Sequence, residues 1–542
     1  MNILLVRPPE YRETAFAQMY PVYESVGLGY VAASLRKCGH DVEILDARVA
    51  GLSVDETAET IASRKVEIIG FSLPSGILMP QASTIIKKIR ELGITSHISL
   101  GGQYPTFAYR FILTNFPDVD SIVRFEGDRA FSELVESIHD RKKWKDISGI
   151  AFRENGDIVA TPSRPLVADL DTLPFPVRDT LADVVEQSGV VIVASSRGCY
   201  AGCKFCSVRS FYRPEDGKLW RPRSAENVFE EIRMLKETYN PDELWFADDN
   251  LFGPGKAGSE RVRAIFQLMK DNGISFDAID FSCRVNDVIN HRDIIVLAKE
   301  VGLRTVFVGV ESGVQRILDI YQKGSTVEQN REAVEILRNI GVVNKMEFIF
   351  FNPWMTLAEV KENLTFLKEA GIYDPYMLSS TLTIHTYSPL WRDIQAGTVP
   401  YERGDVGVGQ DYDSDSYRPY AFEDSKVRYL FELVEQSFEF FEPIYYELWR
   451  LKNAIKKCRK IQPAMHEQLA ERDEVRRNLE SMAEHIAIDL FDEGLEWVAA
   501  CDTPEQELGE RINTFRTAIS NIHMVISTIA RDELDELSST GL

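Results

Sequence analysis

Short apolar runs alternate with amphipathic stretches from the first residues onward. Ile3–Val6, Val42–Leu45, Val66–Phe71, Ile98–Leu100 and Ser121–Val123 each suit a strand. Gly29–Lys37, Val54–Ser63, Gln81–Leu92, Pro105–Thr114 and Arg129–His139 lie between them and are long enough for helices. Strands buried on both faces read as unbroken apolar runs, and helical crossovers join parallel neighbours. Five such units predict a doubly wound α/β domain over residues 1–140, with ligands expected outside the carboxyl ends of its strands. The turns on that edge are Arg7-Pro8-Pro9, Ser72-Leu73-Pro74-Ser75-Gly76, Gly101-Gly102-Gln103-Tyr104-Pro105-Thr106 and Arg124-Phe125-Glu126-Gly127-Asp128.

The pattern then changes. Ile150–Arg153 and Ile158–Thr161 flank Asn155-Gly156, a dipeptide that favours the tight turn of a hairpin. Pro162 to Asp183 is rich in proline and aspartate, so 141–188 reads as a hairpin followed by a wrapping linker. Over 189–395 six apolar runs again alternate with helical stretches: Val190–Ala194, Glu243–Ala247, Ala278–Ser282, Thr305–Val310, Met346–Phe351 and Met377–Ile384. Six βα units fall short of a closed eight-stranded barrel. They predict an open partial (β/α)6 barrel whose functional groups lie at its carboxyl end. Residues 396–420 carry Gly397, Gly404, Gly407 and Gly409 among Asp and Tyr, which suggests an irregular loop over the barrel mouth. Leu430, Leu433, Val434, Phe438 and Phe441 then open a helical domain, with Phe440, Tyr445, Tyr446 and Trp449 read as its core.

Composition narrows the function. The chain of 542 residues carries a net charge of −23, which argues against a nucleic-acid backbone as partner. No run reaches the roughly 18 apolar residues of a membrane span. Met1–Val6 reads as a strand and not as a charged leader, and seven cysteines suit a reducing compartment, so a cytoplasmic location is expected.

Three of those cysteines, Cys199, Cys203 and Cys206, follow the first strand of the central half on one short loop. Structural zinc sites use four ligands, often as two paired halves, and no histidine or second cysteine pair accompanies this loop. An odd number of clustered thiols suits a disulfide framework poorly. Three thiolates can instead hold three irons of a [4Fe–4S] cluster and leave the fourth open to a small molecule. Polar groups also recur at the following strand ends: Asp248-Asp249-Asn250, Ser282-Cys283-Arg284, Gly309-Val310-Glu311-Ser312, Asn352-Pro353 and His385-Thr386-Tyr387.

The C-x3-C-x2-C loop resembles the radical S-adenosylmethionine (radical SAM) enzymes. The segments Arg221–Ser224, Phe246–Asn250, Phe307–Gly313 and Lys323–Thr326 are similar to that family's motifs. With Leu4–Pro9, Gly27–Ala32, Gly101-Gly102, Pro105-Thr106 and Glu126-Gly127, the whole arrangement resembles the cobalamin-dependent radical SAM enzymes, whose first domain is a flavodoxin-like, Rossmann-type cobalamin-binding domain. The resemblance implies a cluster on Cys199, Cys203 and Cys206. It implies SAM beside Phe205, with Asp248 or Asp249 facing its ammonium, Arg284 its carboxylate or ribose, Gly309 letting the adenine lie against backbone, and Glu311 also at the cofactor site. Cobalamin is expected against Ser72, Gly101, Gly102, Tyr104, Glu126 and Gly127. No histidine lies between Arg7 and Tyr30, so the cobalamin is expected base-off, without a histidine lower ligand.

In such enzymes one electron, from a reductant such as flavodoxin or ferredoxin, cleaves SAM to a 5′-deoxyadenosyl radical that takes hydrogen from the substrate. The expected activity is C-methylation of a small molecule through methylcobalamin. An oxidative, ring-forming cyclase of the same architecture is the alternative, and a non-catalytic corrinoid or iron–sulfur carrier a third reading. A first domain that binds no corrinoid is also compatible with the fold.

Overall fold

In a computed structural model, which describes residues 1–10, 22–212, 218–406, 419–461 and 465–539, the amino-terminal third forms one seven-stranded sheet. Its strands are β1 (Asn2–Arg7), β2 (Asp41–Asp46), β3 (Ile68–Ser72), β4 (His97–Gly101), β5 (Ser121–Val123), β6 (Ile150–Glu154) and β7 (Asp157–Ala160), in the order β2-β1-β3-β4-β5-β6-β7. The first five are parallel. The Asn155-Gly156 hairpin pairs antiparallel with β5 and extends this same sheet. It therefore belongs to the first domain, not to a connector starting at 141. Asn155 and Gly156 both take positive φ, as the tight turn demands.

A second, all-parallel sheet has the order β14-β13-β12-β11-β8: β8 (Val190–Val193), β11 (Glu243–Phe246), β12 (Ala278–Arg284), β13 (Leu303–Glu311) and β14 (Val343–Phe348). A two-residue ribbon, β9 (Ser196–Arg197) against β10 (Arg221–Pro222), projects from its carboxyl end. Local chemistry sets the crossovers. Ser224 caps the helix Ala225–Tyr239, and Thr326 and Thr356 open Val327–Ile340 and Leu357–Ala370 with capping boxes. Gly341 and Gly371 close the latter two in the left-handed conformation.

The sixth strand expected at Met377–Ile384 is a difference. Asp374 and Pro375 start a short helix, Pro375–Ser379, by a side-chain cap on the Met377 N–H. Only a single parallel bridge, Phe351 to Thr381, continues the sheet. Leu382 and Ile384 are still buried, so the segment completes the partial barrel by packing more than by ladder bonds.

Four helices, Ser425–Phe438, Glu442–Ile461, His466–Ala500 and Pro504–Ser539, make the carboxy-terminal domain. Phe491 packs on Phe350 and Phe351 at the barrel's flank, and Phe438 and Phe441 are core residues. Lys456 reaches Glu243 Oε1 at 2.8 Å and the Ser188 carbonyl at 3.2 Å, tying this domain to the amino-terminal end of the barrel. Gly397 takes positive φ and Gly404 lies in a short strand, Arg403–Val406, bridged to Tyr420; Gly407 and Gly409 lie outside the described residues. Among the described residues no helix is long and apolar enough to cross a membrane.

Between the two sheets sits a buried ion cluster. Arg178, from the linker, pairs with Glu24 and with Glu231 at 2.7 Å and donates to the Ile192 carbonyl at 3.0 Å. Arg223 pairs with the other oxygen of Glu231. Burial raises the Glu24 carboxyl to about 6 against the opposing pull of Arg178.

Candidate functional site

The cysteine loop leaves β8 through Ser195 and the β9–β10 ribbon. Gly198 turns it with φ +83°, and a Cβ there would overlap the Leu219 carbonyl oxygen, so only glycine fits. Tyr321 and Leu390 hold the loop from both sides at Lys204: the Lys204 N–H donates to the Tyr321 carbonyl at 2.9 Å, and the Lys204 carbonyl accepts from Leu390 N–H at 2.9 Å. All three cysteines are free thiols, Cys203 buried and Cys199 and Cys206 half-buried. Burial pushes the Cys199 thiol up to about 11 and Cys206 to about 12. Such thiols stay protonated and inert until a metal displaces the proton. Among the described residues no three His, Cys, Asp or Glu side chains converge on one metal ion. A cubane cluster takes one thiolate per iron, so its ligands need not share a point.

The strands of the barrel show which face is open. Leu244, Phe246, Ile279, Phe281, Val306, Val308, Met346 and Phe348 are buried, and Phe246, Phe281 and Phe348 meet Phe266 and Phe366 of the outer helices. The alternate residues keep solvent contact: Trp245, Ala247, Asp249, Ser282, Arg284, Phe307, Lys345 and Glu347. Trp245 and Phe307 stack across the concave face with centroids 6.4 Å apart. The concave face is therefore left open and not filled by a packed core of the kind that occupies closed barrels.

Asp248 and Asp249 part company at its mouth. Asp248 is buried and accepts from Ser195 N–H at 3.0 Å, Ser195 Oγ at 2.8 Å and Ser196 Oγ. It anchors the root of the cysteine loop and does not face the cavity. Asp249 keeps solvent contact although protein surrounds it on most sides, the setting of a cavity wall. That surrounding protein and the charge of Asp248 raise it to about 6; its one stabilising partner is the Gly198 N–H, and no cation pairs with it among the described residues. Arg284 lies over the Tyr200 ring at 5.5 Å, donates through Nη2 to the Lys323 carbonyl, and leaves Nε without a partner among the described residues. An unneutralised carboxylate and a half-used guanidinium above three thiols suit a ligand carrying an ammonium and a carboxylate.

Gly309 is not open backbone. A Cβ there would lie 2.5 Å from Lys323 Nζ and 2.7 Å from Glu311 Oε1, because the buried Lys323–Glu311 ion pair (2.6 Å) covers it. Glu311 sits at a break in the β13–β14 register with φ +66°, a strained value for a non-glycine residue. Phe205 packs edge-on against Tyr321 at 5.1 Å.

The carboxyl edge of the first sheet faces this mouth. Gly102 has φ +108°, and a Cβ on it would sit 2.6 Å from the Leu73 carbonyl oxygen. The turns after β3 and β4 are thereby locked together, with Leu73 N–H donating to the Gly101 carbonyl at 2.8 Å. Ser72 and Gly101 border that junction, and Tyr104 is buried beneath it. Gln103 Nε2 reaches Ser207 Oγ at 2.8 Å, and Phe107 stacks on Tyr387 with centroids 3.6 Å apart. At the other end Tyr23 meets Trp245 edge-on at 5.9 Å. Gly127 starts the helix Gly127–Glu136 and packs on Val31, while Glu126 is wholly engaged by Arg197, Arg221 and the Val167 N–H. The histidines of the first domain lie elsewhere: His97 begins β4 at the opposite edge, His40 precedes β2, and His139 is exposed. Sequence reasoning gave no role to Asp128 or Trp245; strand alternation was the signal that could have found the latter.

The comparisons with known proteins agree with this geometry. Residues 13–135 match the B12 binding domain and residues 193–367 the Radical SAM superfamily. The chain is similar to an uncharacterised methyltransferase of Pyrococcus horikoshii, 32% identical over 397 residues that cover 72% of this chain and 82% of that protein. It is 28% identical over 404 residues to the anaerobic magnesium-protoporphyrin IX monomethyl ester cyclase of Synechocystis, covering 72% of this chain and 77% of that one. Its fold follows that of OxsB, a cobalamin-dependent S-adenosylmethionine radical enzyme solved with aquacobalamin and S-adenosylmethionine, with a TM-score of 0.75 and 19% identity over 99% of this chain and 80% of that chain.

Proposed function

We propose, from the premise that the chain belongs to the cobalamin-dependent radical SAM enzymes, that it is a C-methyltransferase acting on a small molecule. One observation carries the reading: Gln103–Ser207, Phe107–Tyr387 and Tyr23–Trp245 bring the carboxyl edge of the first sheet against the loop of three free thiols and the concave face of the barrel. Cys199, Cys203 and Cys206 would hold three irons, Asp249 the ammonium of SAM, and Arg284 its carboxylate. Ser72, Gly101 and Gly102 would border the corrinoid, base-off because this edge offers no histidine. When bound, the cluster supplies an electron to SAM and the corrinoid supplies a methyl group. The chain's own part is to exclude water and align the substrate. Trp245, Phe307 and Tyr23 give the cavity an apolar floor, and the stacked Phe107 and Tyr387 close its side. An electron donor of the flavodoxin or ferredoxin type is the partner this reading requires.

The likeness to the Synechocystis cyclase favours a second reading, ring formation in the same cavity. Protein reconstituted anaerobically with iron, sulfide and hydroxocobalamin is given trideuteromethyl SAM and dithionite. Release of 5′-deoxyadenosine is expected; its absence contradicts radical chemistry and leaves a carrier. A product bearing the deuterated methyl group supports methyl transfer, whereas an unlabelled cyclised product supports ring formation.

A further inference from the structure

The turn Arg124–Asp128 was expected to touch a corrinoid, yet both of its carboxylates are turned to another use. Glu126 Oε1 accepts from Arg197 Nη1 at 3.2 Å and Arg221 Nη2 at 2.8 Å. Its Oε2 accepts from Arg221 Nη1 at 3.1 Å and from the Val167 N–H at 3.0 Å. Asp128 takes Arg197 in a fork, 2.7 Å and 2.9 Å. All four carboxylate oxygens are thus engaged by two arginines of one ribbon, β9–β10, and one backbone amide. The two arginines are themselves fixed. Arg197 lies over Tyr30 at 4.9 Å, and Arg221 lies over Tyr212 at 5.5 Å and donates to the Val167 carbonyl at 2.7 Å. Forked guanidinium–carboxylate pairs define orientation as well as distance.

Backbone strain marks the same turn. Phe125 holds φ +64°, a left-handed value that is an outlier for a bulky residue. Its N–H donates to Thr106 Oγ1 at 2.8 Å, on the helix that begins at the Gly101-Gly102 turn. Strain of this kind persists only where the surroundings over-determine the backbone, and it concentrates at functional sites. Here the surroundings are the two arginines on one side and the ligand edge of the first sheet on the other. Arg197 lies two residues before Cys199. The clasp therefore joins the root of the cysteine loop to the carboxyl edge of the first sheet through a rigid path.

We propose that Glu126, Asp128, Arg197 and Arg221 form a positioning clasp that sets the separation between the two cofactor edges, and that Glu126 is not a corrinoid ligand. The proposal rests on the functional reading above for what the two edges hold, but the clasp itself is a property of this chain. Without it the two domains would still be tied behind the edges by the Arg178–Glu24–Glu231 cluster, but at the edges themselves they would meet at Gln103–Ser207, Phe107–Tyr387 and Tyr23–Trp245, one hydrogen bond and two ring contacts. These fix a distance far less tightly than a fork does.

Dipolar EPR between cob(II)alamin and the reduced cluster, in full-length protein loaded with iron, sulfide and hydroxocobalamin, tests the clasp. A narrow distance distribution is expected for the unaltered chain. Asp128→Asn and, independently, Arg221→Met are expected to broaden it at least about twofold, with iron content and hydroxocobalamin affinity held within about twofold, because breaking a buried pair frees the domains without touching either ligand set. Asp128→Glu should restore most of the sharpness. An unchanged width in both variants overturns the proposal. So does an unchanged width with about tenfold weaker hydroxocobalamin binding in Glu126→Gln, which would make the turn a ligand. If the unaltered chain retains no hydroxocobalamin, the corrinoid reading fails instead. Amide hydrogen exchange of the cofactor-free chain then decides the clasp: faster exchange of 124–129 and 196–198 in Asp128→Asn upholds it, and unchanged exchange overturns it.

Discussion

The carboxyl edges of the first sheet and of the barrel face each other, and they are built on opposite plans. The barrel edge presents chemistry: three free thiols and, among the described residues, a carboxylate without a cation and a guanidinium with an idle Nε. The edge of the first sheet presents shape: Gly102 with no room for a Cβ, a buried Tyr104, and carboxylates committed to the opposite domain. A group that must be ligated and reduced needs donors of defined softness and charge. A large planar macrocycle held without a protein ligand to its metal needs a surface that backbone can approach. The contrast is the one that the proposed cofactors would require of the two edges.

The comparison can be broken most severely at the thiols. Replacing Cys199, Cys203 and Cys206 together by Ala should abolish iron binding and lower 5′-deoxyadenosine release by at least ~10³-fold, since groups acting as one unit fail together; iron assay and chromatography check it. Next in size is the junction between the domains. Arg178→Met leaves Glu24 and Glu231 buried beside each other with one cation lost, and should cost about 3–5 kcal/mol in denaturant unfolding. Gly102→Ala should cost about 1–3 kcal/mol, because φ +108° and the Leu73 carbonyl both oppose a Cβ, and should weaken hydroxocobalamin binding measured by absorbance titration.

Asp248 and Asp249 sharpen the contrast within a single strand end. Asp249→Asn should raise the dissociation constant of SAM by about tenfold with little change in stability, because it removes one charge-assisted contact. Asp248→Asn should do the reverse, lowering the melting temperature of a chain that still binds SAM, because Asp248 is committed to Ser195 and Ser196. Calorimetry of both variants separates them. The smallest effect is a pH dependence. Burial lowers His385 to about 4, so the folded chain keeps its imidazole neutral. A base with a depressed folded pKa contributes its full stability above about 6.5 and loses it as pH falls toward 4. Its ring resonance should stay untitrated down to that range.

Legibility in the sequence divided along the same line. The cysteine loop, the alternation of strands and helices, and the Asn155-Gly156 hairpin depend on local spacing, and each was readable. Residue type alone could not separate Asp248 from Asp249, because neighbours on a strand point to opposite faces and only the register of β11 says which faces helices. Glu126 and Gly309 were read as ligand contacts since nothing local shows that Arg221, 95 residues away, or Lys323 covers them. The apolar run Met377–Ile384 misled for a similar reason: Asp374 and Pro375 start a helix that the hydrophobic pattern does not announce. Asp128 escaped notice because a carboxylate in the first turn of a helix is ordinarily an electrostatic complement to the helix end.

The claim that one cavity serves both edges is tested most directly by the visible spectrum of the iron–sulfur-loaded protein after hydroxocobalamin is added and excess removed by desalting. One equivalent of corrinoid retained, with a base-off spectrum on reduction beside the broad absorption of the cluster, is the predicted result. A cluster-loaded protein that retains no corrinoid would contradict it.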